Sequence, residues 1–246
     1  EQKDFDSPAM LGTWGVSDED LVVKAHQTFL EHGDRPFFSL LLTTSNHVPF
    51  EFPAGRIELH EQPAATRNNA VKYTDYAVGK LIELAREAPY FDRTIFLIVA
   101  DHDARVFGAD LVPIHHFRVP ALILGPGVPR KHEHRIASQI DLAPTLLSLL
   151  GIDAEHPMIG RDLMRLPLDN PGRASMQYAE VNAFLVGDKV AIHQRGKLAR
   201  TFLRINDGLE TTEHDTELER DALAQLLWAD RSYRDRLYRL PTSAAH

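Results

Sequence analysis

Residues 94–108 read TIFLIVADHDARVFG, an aliphatic run that closes on Asp101, His102 and Asp103. A carboxylate beside an imidazole offers oxygen and nitrogen donors to one divalent cation. The competing assignment makes Asp101 a cap for the following loop and His102 a locally packed ring. A second polar cluster, Thr43, Thr44, Ser45, Asn46 and His47, follows another apolar run at residues 37–42. Arg105 can grip an anionic oxygen through two parallel N–H groups, or simply face water. His132 and His134, within RKHEHR, read as a solvated charged turn. Asp141 reads as a helix cap before it reads as a ligand, and Trp14 and Trp228 read as packing anchors.

These residues need elements to position them. Thr94 to Val99 is rich in Ile and Val and short, as expected of a strand covered on both faces in a parallel sheet. Ligands in such sheets gather at the carboxyl ends of strands, where Asp101 and His102 fall. Phe37 to Leu42 predicts a second buried strand ending at His47. Between the two, apolar positions Val71, Thr74, Ala77, Val78, Leu81, Ile82 and Ala85 recur at helical spacing, and Pro89 closes the helix. Strand, helix and strand together predict a right-handed βαβ crossover. An earlier helix is expected from a Ser17 cap to a Gly33 stop, and another from Asp141 to Gly151 with Pro144 in its first turn. RVPALILGPGV predicts one more strand. Residues 174–206 predict antiparallel strands turning at Gly187-Asp188 and Arg195-Gly196, and residues 215–238 a charged amphipathic helix.

The chain has 246 residues, 43% hydrophobic and 25% charged, with a formal net charge of -8. That composition suits one large α/β domain, and the charge argues against nucleic acid as a partner. With no cysteine there is no disulfide, thiolate metal site or Cys nucleophile. No apolar run approaches the roughly 20 residues of a membrane span.

In order along the chain, TSNHVPF, YTDYAVGKLIELAREAPYFDRTIFLIVADHD, FRVPALILGPG, SQIDLAPTLLSLLGI and IGRDL resemble the C-terminal half of the sulfatase-like alkaline phosphatase superfamily. Within it, the resemblance is to the lipoteichoic acid synthases and phosphoglycerol transferases. It implies an α/β, sulfatase-like sheet flanked by helices, with a small β-rich C-terminal section and a terminal helix. Residues 1–170 would be the C-terminal half of the catalytic domain, and 171–246 a hairpin-and-helix section of the same domain. It also implies an extracytoplasmic enzyme at the bacterial inner membrane, tethered by N-terminal membrane helices. Such an enzyme uses a Thr nucleophile and one divalent cation, manganese or magnesium, with calcium as an alternative. On this resemblance Asp101 and His102 are metal ligands, and His47 meets the phosphoglycerol group. Arg105, together with His115 or His116 ahead of FRVP, binds the anion.

Two departures stand out. The family usually has Gly where this chain has Asp103, and the nucleophile and its acidic metal partner have no counterpart, so no catalytic residue is assigned. Thr43, Thr44 and Ser45 are weak substitutes, because in the family that strand supplies none. The expected activity is transfer of phosphoglycerol from a glycerophospholipid, with these residues alone inactive. The alternatives are hydrolysis of a sulfuric or phosphoric ester on the same scaffold, or a non-catalytic extracytoplasmic binding domain. A partner chain, a second copy or a retained N-terminal half is expected to cover sheet surface left bare.

Overall fold

Two compact units divide after Thr94 in the computed structural model, which describes residues 2–103, 105–108 and 110–240. The end of the 171–246 section thus lies outside the described residues.

In the first unit, a small ladder of β1 (Leu11–Gly12) and β2 (Gly15–Val16) leads into α1 (Asp18–His32), and α2 (Arg67–Arg86) packs against α1. The start and stop of α1 are the expected ones. The Ser17 hydroxyl accepts the Asp20 amide, and Gly33, at φ 59°, ends the helix in backbone that glycine adopts without Cβ strain. Val22, Ala25 and Phe29 of α1 are buried, as are Ala70, Tyr73 and Ala77 of α2, each set at helical spacing. Phe29 stacks on Phe37 at 4.8 Å and meets Tyr90 edge-on at 5.6 Å. Burial pushes the Glu19 carboxyl up, but hydrogen bonds from Lys80 and Arg56 outweigh it and hold the group below the usual carboxylate range.

The expected strand at 37–42 does not form. Phe38, Leu40 and Leu42 are exposed by 86%, 82% and 71%. An apolar run becomes a strand only beside a hydrogen-bonding neighbour, and β1 and β2, the strands described in this unit, pair with each other.

In the second unit, β3 (Phe96–Val99) and β4 (Ala121–Leu124) stand where the apolar runs predict strands, but they pair antiparallel, Phe96 opposite Leu124 and Val99 opposite Ala121. The βαβ crossover expected between residues 37–42 and 94–99 is corrected as well, since 37–42 forms no strand and β3 pairs with β4 instead. The 21 residues between β3 and β4 include no α-helix among those described, and Val99 and Leu122 remain exposed, so the pair is not covered on both faces. A 3-10 turn, Gln139–Asp141, runs into α3 (Leu142–Leu149).

The C-terminal section is a five-stranded antiparallel meander of β5 (Arg173–Tyr178), β6 (Val181–Val186), β7 (Lys189–Gln194), β8 (Arg200–Ile205) and β9 (Gly208–Thr211). Two of its four turns, β6–β7 and β7–β8, fall at the Gly187-Asp188 and Arg195-Gly196 pairs read from the sequence. Alternation decides its two faces. Ala183, Leu185, Val190 and Ile192 pack with Val112 and Ile114, whereas Phe184 and Ala191 meet Leu218 and Ala222 of α4 (Thr216–Arg234).

Candidate functional site

Asp101 and His102 follow β3 directly. The ladder is prolonged by an Ala100 amide bond to the Pro120 carbonyl at 3.2 Å. Beyond it, the Gln139 side-chain amide donates to the carbonyls of Ala100 (2.9 Å) and Asp101 (2.8 Å). Gln139 is placed by a capping box, in which the Ser138 amide donates to Asp141 at 3.0 Å. Asp141 is fully buried and also accepts the Arg161 amide at 2.7 Å and its guanidinium at 3.2 Å. Asp141 stands at the start of α3, but its side chain caps no amide of that helix and closes the box at Ser138 instead. SQID and IGRD are thus one device, and it fixes the strand end that carries Asp101.

A cavity of about 210 Å³ opens at this end, lined in part by Asp101, His102, Asp103, His116 and Gln139. Asp101 Oδ2 and His102 Nε2 stand 3.5 Å apart there, and the two side chains are exposed. Carboxylate and imidazole suit a divalent cation. Among the described residues no group of three or more His, Asp or Glu converges on one point, so the pair fits as part of a ligand set. His116, half-buried, is bound through Nδ1 to the Asp103 carboxylate, while His115 is exposed. Arg105 is exposed and follows Ala104, which lies outside the described residues.

His47 belongs to the first unit. The Thr44 and Ser45 amides donate to the buried Asp18 carboxylate at 2.9 and 3.2 Å, and the Thr74 hydroxyl donates to its other oxygen at 2.8 Å. Downstream, the Trp14 indole donates to the Val48 carbonyl at 2.9 Å. The Thr13 amide donates to Glu51 at 2.6 Å and draws that carboxyl below its ordinary value. Trp14 is no packing anchor. It is 55% exposed and stacks on the His47 ring at 4.4 Å and 27°. Trp228 is also partly exposed. Sequence reasoning missed Asp18, Trp14 and Gln139 as partners of the candidate residues, since each acts at a distance of many residues.

RKHEHR is corrected in part. His132 and His134 are exposed, but Arg135 donates to the carbonyls of Leu163, Leu166 and Pro167 and is oriented by Glu133. The Arg135 guanidinium lowers the Glu133 carboxyl to about 2.

The sulfatase family model matches residues 1–152. This chain belongs to the sulfatase family. Among the relatives of this sulfatase chain, lipoteichoic acid synthase 2 of Bacillus subtilis (strain 168) is 25% identical over 86% of the chain and 34% of its own length. Phosphoglycerol transferase I of Xanthomonas campestris pv. campestris (strain B100) is 30% identical over 69% of the chain and 25% of its own length. The chain therefore spans about a third and a quarter of these two relatives. A crystal structure of an alkaline phosphatase superfamily protein from Vibrio parahaemolyticus superposes with a TM-score of 0.92 at 44% identity, over 98% of the chain and 60% of that protein. The fold is the alkaline phosphatase-like one expected.

Proposed function

We propose that this chain is part of a metal-dependent phosphoglycerol transferase acting on glycerophospholipid phosphodiesters at the outer side of a bacterial inner membrane. The observation that carries the proposal is the approach of Asp101 Oδ2 to His102 Nε2 in one cavity at the end of β3. The names of the relatives support the substrate class. Asp101 and His102 would hold one divalent cation, manganese or magnesium. When bound, it would neutralise charge on the ester oxygens and favour ionisation of an attacking hydroxyl.

His47, walled by Trp14, binds the head group. Arg105 and His115, both exposed, meet the anion. The nucleophilic Thr and a further acidic ligand are assigned to parts of the protein beyond these 246 residues, and residues 171–246 to the same domain as residues 1–170. No helix among the described residues is long and apolar enough to cross a membrane.

Intact mass spectrometry of the full-length protein, incubated with manganese and phosphatidylglycerol, tests this. A glycerophosphate adduct on a Thr, lost in Asp101→Ala or His102→Ala, is expected. Metal binding without an adduct, joined to hydrolysis of sulfate or phosphate esters, would replace the transferase by a hydrolase. Absence of metal binding would leave a non-catalytic domain.

A further inference from the structure

A histidine ligand presents one ring nitrogen to its cation, and the other must be held by a second group that fixes tautomer and orientation. In this chain that group is the Asp103 carbonyl, 2.8 Å from His102 Nδ1. A carbonyl only accepts, so Nδ1 carries a proton and Nε2, on the side where Asp101 Oδ2 stands 3.5 Å away, is the nitrogen left to meet a cation. The His102 side chain is 67% exposed, so packing does little to hold the ring. Its orientation depends on where residue 103 sits.

Residue 103 is tied down by His116. The Asp103 carboxylate accepts from His116 Nδ1. His116 belongs to a 3-10 turn, Ile114–Phe117, whose Ile114 lies with Val112 in the core beneath the meander. Its ring is enclosed by Phe107, with centroids 4.9 Å apart, and by His115 at 4.1 Å, leaving the side chain 15% exposed. A turn anchored by buried Ile114, a half-buried ring and a loop carboxylate thus lead in sequence to an exposed ligand.

We propose that His116 is a positioning residue, which through Asp103 holds the His102 ring with Nε2 as its ligating nitrogen. The proposal rests on the metal site proposed above. It separates the two adjacent histidines: His115 meets the anion, and His116 serves the metal ligand.

The test is manganese titration of the full-length protein, with free Mn²⁺ followed by electron paramagnetic resonance and the ¹⁴N modulation of the bound ion recorded. His116→Ala and Asp103→Ala should each weaken binding about 10- to 100-fold. The double variant should be no weaker than either single one, because the two residues act as one unit. His116→Asn, whose amide nitrogen can occupy the place of Nδ1, should restore most of the affinity and the nitrogen modulation. Circular dichroism of the variants should match that of the parent protein.

Unchanged manganese affinity in His116→Ala overturns the proposal, as does a His116→Asn variant no better than Ala. Normal binding with lost turnover also overturns it, since His116 would then act on substrate. A parent protein that binds no manganese removes the metal site itself, and this inference with it.

Discussion

Truncating Asp18 is the sharpest probe of how the His47 loop is held. Its carboxylate is 1% exposed and accepts three hydrogen bonds, two from the main-chain amides of Thr44 and Ser45 and one from the Thr74 hydroxyl. Asp18→Ala leaves the buried Ser45 amide and the half-buried Thr44 amide without an acceptor, and at about 1–3 kcal/mol for each orphaned group the cost is about 4 kcal/mol. Asp18→Asn keeps one oxygen for the two amides and turns an N–H toward Thr74, whose hydroxyl can accept it. Only the charge assistance is lost, so about 1.5 kcal/mol is expected. Hydrogen exchange read by mass spectrometry on a peptide spanning residues 40–50 measures this directly. At 1.4 kcal/mol per decade, Asp18→Ala should speed exchange at residues 44 and 45 by up to about a thousandfold, and Asp18→Asn by about tenfold. Equal effects of Ala and Asn, or unchanged protection at 44 and 45, would refute the assignment of Asp18 as the anchor of this loop.

Gly160 passes so close to the main chain that an added Cβ would lie 1.7 Å from the Ile140 carbonyl oxygen. Gly160→Ala should therefore lower stability by about 3 kcal/mol or more, read as a fall in the urea midpoint. It should also loosen the Asp141–Arg161 contact beside it. Glu133 titrates at about 2 in the folded chain against 4.5 unfolded, so its contribution is complete above pH 4.5 and disappears as the pH falls towards 2. The stability difference between the parent chain and Glu133→Gln, measured by urea unfolding, should be flat from pH 7 to 5 and shrink below 4.5; a difference that grows on acidification would contradict the Arg135 pairing. Trp14→Ala removes the ring stacked on His47, an interaction of about 0.5–1.5 kcal/mol, so KM for the proposed lipid substrate should rise roughly two- to tenfold with kcat little changed. A change confined to kcat would place His47 in the chemistry and not in binding.

Local signals in the chain located its helices well. The Ser17 cap and Gly33 stop bound α1, Pro89 lies just past α2, and the glycine turns at 187 and 196 separate the strands of the meander, because caps and tight turns depend on residues close in sequence. Apolar runs located β3 and β4 but misjudged their pairing, which a run of Ile, Leu and Val does not encode. The same run at 37–42 promised a strand, and its alternating exposed side chains follow from the lack of a neighbouring ladder in its unit.

The candidate chemistry divides along the same line. The sequence by itself determined that Asp101 and His102 stand at a strand end, that His47 follows a polar cluster, and that the chain resembles the sulfatase-like superfamily. These depend on adjacent residues and on ordered motifs. Only the tertiary structure decided that Gln139 clamps the Asp101 strand end, that Trp14 lies on His47, and that Asp103 and His116 stand behind His102. Those partners are 38, 33 and 13 residues apart in the chain, and a hydrogen bond or stacked ring depends on where the folded backbone brings its atoms, which no local spacing records.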